Sequence, residues 1–260
     1  MSARRASERA VSPFAWALAA GTALAAFASG ADGRPPLAAA STAPPVAAAA
    51  TPPTTLSWER AFPVERAAPD VHLEATFHGS DGKPHRLELW RHGRTFLHRK
   101  TDDQLDLYVV ARSGNDYAYR FFDHRRHVVT GVRRDNLYRL GVFSDWFGLA
   151  HVVDRPKAAF ELRAVAEPHP ETPRRDCAWR ELVTGKDDAT RTVARICWSS
   201  RWATALAIEQ RGSDGSWAET FSVRTAEATR FRRGETSLPA TPSAYAFVDA
   251  DREIAPQTDD

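Results

Sequence analysis

The chain has 260 residues, with 35 Lys plus Arg against 33 Asp plus Glu and a formal net charge of +2. Arg4, Arg5 and Arg9 set against Glu8 account for all of that excess. The rest of the chain is neutral, which excludes nucleic-acid or anionic-membrane binding driven by bulk charge.

The N-terminus reads as an export signal. "MSARRASERA" is a basic n-region, "FAWALAAGTALAAFA" an uncharged apolar run, and Ala26-Phe27-Ala28 a small-residue cleavage site. Residues 1–28 are therefore read as a signal peptide. The apolar run is also long enough to stay in place as an anchor, so peripheral membrane contact is left open. No cysteine precedes Cys177, so a lipobox is absent, and Arg4-Arg5 lacks the rest of a twin-arginine signal. The expected location is periplasmic or secreted. Residues 29–55 are rich in Ala, Pro and Thr, a composition that cannot bury a core and acts as a disordered tether. Residues 56–260 are enough for one β-rich domain.

From Val71 onward, short alternating runs are separated by turn residues. "VHLEATFH" meets "KPHRLELW" across Gly79–Gly82, and "TFLHRK" and "LDLYVVAR" follow. "DYAYRFF" meets "HVVTGV" across "DHRR", and "TALAIEQR" meets "WAETFSV" across a second GSDG, Gly212–Gly215. Two-residue periodicity with Gly/Asp turns predicts an antiparallel meander. Alternation places Leu87 with Leu89, Leu105 with Leu107 and Val109, Tyr117 with Tyr119 and Phe121, and Phe221 with Val223 on shared faces. Such a sheet must cover its apolar face or curl around it. The fold class is mainly β: a single curved antiparallel sheet or half-open β-barrel.

One block breaks the pattern. In "RDNLYRLGVFSDWFGLAHVVDRP", Leu137, Leu140, Phe147 and Ala150 recur at helical spacing, with Asp135 and Ser144 as N-caps. Gly141 divides it into two short helices and Pro156 ends the second. This helical segment, about 135–153, is either a plug filling the sheet's concave face or a movable lid over a ligand cavity.

The only cysteines lie in "CAWRELVTGKDDATRTVARICW", two β-runs joined by a polar turn. If that turn centres on Asp187, Cys177 falls opposite Cys197, with Cβ atoms about 4.5–5.5 Å apart and near disulfide spacing. The alternative is two unrelated buried thiols. An oxidising compartment favours the bridge.

Enzyme signals are weak. Asp123, His124 and His127, joined by His151, would be a metal set, but "DHRRH" lies between two strands and is explained by a tight turn opening on Asp123. His72 and His78 share strand parity but lie apart, and His85, His92 and His98 read as scattered surface positions. "DADRE", Asp249–Glu253, lacks the glycine and terminal glutamate of a calcium loop. HExxH, G-x-S-x-G, Walker and G-x-G-x-x-G motifs are all missing. The expectation is a non-enzyme with no cofactor and no metal.

An exported meander, a short helical insertion and the closing segment "FRRGETSLPATPSAYAFVDADREI", with Phe231, Leu238, Pro239, Tyr245, Asp249 and Asp251, together resemble the LolA/LolB-like superfamily. The cysteine hairpin and "LYRLGVFSDWFGLAH" are more similar to an uncharacterised family of exported proteobacterial proteins. The superfamily resemblance implies an incomplete β-barrel that holds acyl chains beneath helical lids. It implies a lipid or acyl-bearing ligand on a surface including Leu89, Leu107, Tyr119, Phe143, Trp146 and Phe147. The rival from another class is a periplasmic protein–protein interaction module with a filled core. A metal-dependent hydrolase comes third.

Overall fold

Alternation of buried and exposed residues along each run creates the sheet. The computed structural model describes residues 55–64, 69–113, 116–140, 145–185 and 191–254. The signal peptide, nearly all of the tether, Gly141, Phe143, Ser144 and Asp187 lie outside them. The strands are β1 (Val71–His78), β2 (Pro84–His92), β3 (Phe96–Thr101), β4 (Leu105–Ala111), β5 (Tyr117–Asp123), β6 (Val128–Arg133), β7 (Phe160–Ala164), β8 (Ala178–Thr184), β9 (Thr192–Ser199), β10 (Thr204–Arg211), β11 (Trp217–Ala228) and β12 (Ala246–Asp249). Among the described residues three short α-helices accompany them: α1 (Trp58–Ala61), α2 (Trp146–His151) and α3 (Ala250–Ile254), with a 3₁₀ helix at Arg134–Leu140.

All twelve strands belong to one sheet in the order β12-β6-β5-β4-β3-β2-β1-β11-β10-β9-β8-β7. The chain lays down β1 to β6 as a meander and crosses to the far edge through the helical block. It then returns from β7 to β11, where β11 joins β1. The sheet is open, with β12 and β7 as its edges. Its pairs are antiparallel except β12 on β6, which is parallel. Register irregularities fall at Glu74/Ala75, Ala205/Ala207 and Ile208/Glu209, in the middle of the sheet. Bulges of this kind bend strands and increase twist.

The two GSDG turns are built alike. Gly82 and Gly215 take positive φ, 72° and 83°, which a side chain would oppose. Asp81 accepts from the Lys83 amide and Asp214 from the Ser216 amide, each at 3.0 Å.

The predicted faces hold. Val71, Leu73, Ala75, Phe77, Leu87, Leu89, Leu97, Leu107, Val109, Tyr117, Tyr119 and Phe121 form one buried cluster with Trp146, Leu149, Ala150 and Val152. A second cluster joins Trp58, Phe62, Leu162, Leu182, Ile196 and Trp198, so α1 covers the β7–β9 end. These residues define the inner face.

Several sequence expectations are corrected. The first helix of the aromatic block is a 3₁₀ helix. For the second, Asp145 is the N-cap, accepting from the Gly148 amide at 3.1 Å. The helix stops at Val152, whose φ of 65° breaks it well before Pro156. The cysteine hairpin is shifted by two: Cys197 pairs with Trp179, because the ladder's midpoint falls one residue beyond Asp187. Cys177 lies just ahead of β8, and the disulfide to Cys197 still forms, with Cα atoms 5.3 Å apart.

Candidate functional site: the inner face beneath α2

The helix α2 sits on the inner face as a wedge between the two clusters. Trp146, Leu149 and Ala150 turn toward the β1–β6 side, and the Trp146 ring stacks on Tyr117 at 5.0 Å. Phe147 turns toward the other cluster, 5.9 Å from Trp58 and 6.2 Å from Trp198. Gly148 allows a close approach: a Cβ there would meet Asp154 Oδ1 at 1.6 Å.

Of the residues proposed from sequence, Leu89, Leu107, Tyr119 and Trp146 come together, all buried in one cluster. Phe147 is half-buried and belongs to the second. Phe143 lies outside the described residues.

Sequence reasoning missed two buried arginines that hold the end of α2. Arg91 Nη1 donates to the carbonyls of Ala150 at 2.9 Å and Ala203 at 3.1 Å, and Nη2 donates to Trp202 O at 2.5 Å. Arg99 Nη1 donates to Leu149 O at 3.1 Å. The last carbonyls of a helix lack intrahelical donors and carry partial negative charge, so guanidinium groups suit that end. Burial lowers both arginines to about 10, and both stay charged at neutral pH. The available signal was parity: Arg91 continues the core-facing row Leu87, Leu89, and Arg99 follows Leu97 on the next strand.

His151 completes the cluster. Its Nδ1 lies 2.5 Å from Ala203 O and 2.9 Å from Arg91 Nη1. One nitrogen cannot serve both, because Arg91 only donates. The tautomer with Nδ1–H donating to Ala203 O leaves both Nη1 hydrogens for Ala150 O and Ala203 O. Burial, with the Arg91 charge adding to it, pushes His151 down to about 3, so it is neutral in ordinary buffers.

Polar satisfaction is incomplete beside this latch. Arg99 Nη2, Tyr119 Oη and Trp146 Nε1 are buried with no hydrogen-bond partner among the described residues.

The outer face carries a row of rings. His72, Trp90, His98 and Tyr108 stack across β1 to β4 with centroids 4.7, 4.7 and 4.1 Å apart. Asp106 lies between two imidazoles, 3.3 Å from His98 Nε2 and 3.0 Å from His124 Nε2. His124 Nδ1 is 2.8 Å from Tyr245 Oη. Arg120 donates to Pro239 O, and Phe231 packs on His92 and Phe96. The segment between β11 and β12 thus straps the outer face. Of the histidines read as surface positions, His92 is the most exposed and contacts Asp70, whereas His85, against Asp81 and Asp102, and His98, against Asp106, are mostly covered. His124 and His151 lie on opposite faces, and among the described residues no group is placed to hold a metal ion.

Fold and site together define an open-sheet β protein whose inner face is occupied by a short, arginine-latched helix. No protein-family model matches the chain, and no curated protein is similar to it. Among solved structures it is similar to one titled "Crystal structure of MucB", at 11% sequence identity and a TM-score of 0.34. The likeness covers 68% of this chain and 59% of that one, so the chain spans less than two thirds of that structure's length.

Proposed function

We propose that the protein is an exported, non-catalytic binding protein that takes a lipid or acyl-bearing ligand on its inner face when α2 lifts. The observation that carries this reading is the way α2 is held. Six residues cover an apolar floor, and the grip on their C-terminal end is a set of hydrogen bonds to the carbonyls of Leu149, Ala150 and His151 from Arg99, Arg91 and Thr204. Such bonds exchange for water at modest net cost, about 0.5–1.5 kcal/mol each or up to about 3 for charged donors. Each methylene that replaces the helix on the floor returns about 0.8 kcal/mol. Export is supported by the Cys177–Cys197 disulfide, which persists in oxidising compartments, and by the basic, then apolar, N-terminus.

A second reading, a periplasmic protein-interaction module, is favoured by one observation. Leu89, Leu107, Tyr119 and Trp146 are all buried with α2 in place, so the floor is already filled.

The two separate in one titration. Purified protein is mixed with a fluorescent fatty acid, wild type beside Trp146→Ala. A lid predicts saturable uptake that the substitution alters, with a small loss of stability. A permanent plug predicts no saturable uptake and a loss of about 3–5 kcal/mol on truncation.

A further inference from the structure

Three donors without acceptors lie where α2 seats on the sheet, Arg99 and Tyr119 on the floor and Trp146 on the helix itself. Arg99, Tyr119 and Trp146 are only 3%, 1% and 8% exposed, yet Arg99 Nη2, Tyr119 Oη and Trp146 Nε1 are unpartnered among the described residues. We infer that they form a headgroup subsite, and that its ligand is the acyl oxygen end of a fatty chain, a carboxylate or an acyl carbonyl. This rests on the lipid-binding reading above.

The three groups lie on neighbouring elements of the inner face: Arg99 on β3, Tyr119 on β5 and Trp146 on α2. Trp146 stacks on Tyr117, which shares the inner face of β5 with Tyr119 two residues on. Arg99 pairs with Leu107, and Leu107 pairs with Phe121, the next inner-face residue after Tyr119. Arg99 Nη1 already grips Leu149 O, one turn along α2 from Trp146. A guanidinium N–H and an indole N–H can only donate, and a phenol O–H donates readily. Native interiors rarely leave such groups unmet, and a cluster of them calls for an acceptor.

Charge narrows the acceptor. Arg91, Arg99 and Arg134 bring positive charge to this region, and Asp145 and Asp154 bring negative charge. Asp154 already acts on Arg99 through space. A multiply charged phosphate would meet both carboxylates, whereas one carboxylate or neutral carbonyl takes up the free donors without a large excess of negative charge. The apolar floor of Leu89, Leu107 and Val109 continues from this point and suits the attached chain.

The test uses the purified full chain, wild type and Tyr119→Phe, with three probes: a fluorescent fatty acid, its methyl ester and the headless hydrocarbon diphenylhexatriene. Tyr119→Phe removes only the unmet hydroxyl, so stability without ligand should hold or rise. The expected result is about tenfold weaker binding of the fatty acid or the ester in the variant, with diphenylhexatriene unchanged. Loss for the acid alone identifies a carboxylate, and loss for both identifies the shared carbonyl. Equal affinity of wild type and variant for every probe overturns the headgroup subsite and leaves the apolar site standing. Marked unfolding of Tyr119→Phe also overturns it, since the hydroxyl would then have a structural partner. No saturable binding of any probe overturns both.

Discussion

Arg91 and His151 meet at the end of α2, 2.9 Å apart and both buried, and only Arg91 carries a charge. His151 is held neutral, down to about 3, by burial and by that neighbouring guanidinium. In the unfolded chain it titrates near the ordinary imidazole value of about 6.5. Between these values the unfolded state binds a proton that the folded state refuses. Stability therefore falls as the pH drops from about 6.5 toward 3, by up to about 1.4 kcal/mol per pH unit. Urea unfolding at pH 7, 6, 5 and 4 should show this acid loss in the wild type. His151→Gln should lose less over the same range, and parallel curves would refute the assignment.

The latch itself predicts a strict requirement for arginine. Arg91 reaches three carbonyls from two nitrogens, a forked geometry that a single ammonium cannot reproduce. Arg91→Met should cost about 3 kcal/mol or more, because the carbonyls of Ala150, Trp202 and Ala203 lose their charged donor. Arg91→Lys should recover less than half of that. Guanidinium-chloride midpoints measure both, and full recovery by lysine would show that charge alone suffices.

The strap on the outer face makes an independent prediction. Burial pushes the Asp106 carboxyl up, but hydrogen bonds and charge from His98 and His124 outweigh it and hold the group below the usual carboxylate value. Its contribution is present above the unfolded value near 3.9 and is lost as pH falls through the lower folded value. Asp106→Asn should destabilise the protein at pH 7 by about 1–3 kcal/mol, and the gap should close below pH 4. Tyr245→Phe removes only the hydroxyl's contact with His124 and keeps the ring against it. It should raise hydrogen exchange in the strap without changing exchange on the inner face.

Most strands were legible because burial alternates along them with a period of two, and β1 and β10 match their sequence runs end to end. The register of the cysteine hairpin was not, since it depends on where a polar turn closes, and a one-residue move of its midpoint shifts every pair by two. The short β7, with only Leu162 fully buried, offers too little alternation to read. The parallel partner of β12 lies more than a hundred residues away, beyond any local pattern. At the site, the apolar floor and Trp146 followed from periodicity. The arginine latch did not, because a charged residue ending an apolar row looks like a strand leaving the core, and only the carbonyl end of α2 explains its burial.

The disulfide closes the hairpin of β8 and β9. Trp179 occupies the ladder position opposite Cys197, so the bridge runs diagonally from Cys177 just outside the strand, beside a small cluster of Trp179, Cys197 and Ala207 on the outer face. The loop it closes spans a sequence separation of 20, worth about 3 kcal/mol on the chain-entropy model. Because β8 and β9 also pair through seven residue positions, the hairpin should persist without the bridge. Cys177→Ala/Cys197→Ala is therefore expected to fold with a lower denaturant midpoint, not to unfold. Peptide mapping of exported wild-type protein under non-reducing conditions should recover the two cysteines in one linked fragment, with a mature chain starting near Ser29. Free thiols together with an intact residue 1–28 segment would count against both the bridge and cleavage, and would place the wedge α2 and its floor in a membrane-tethered protein.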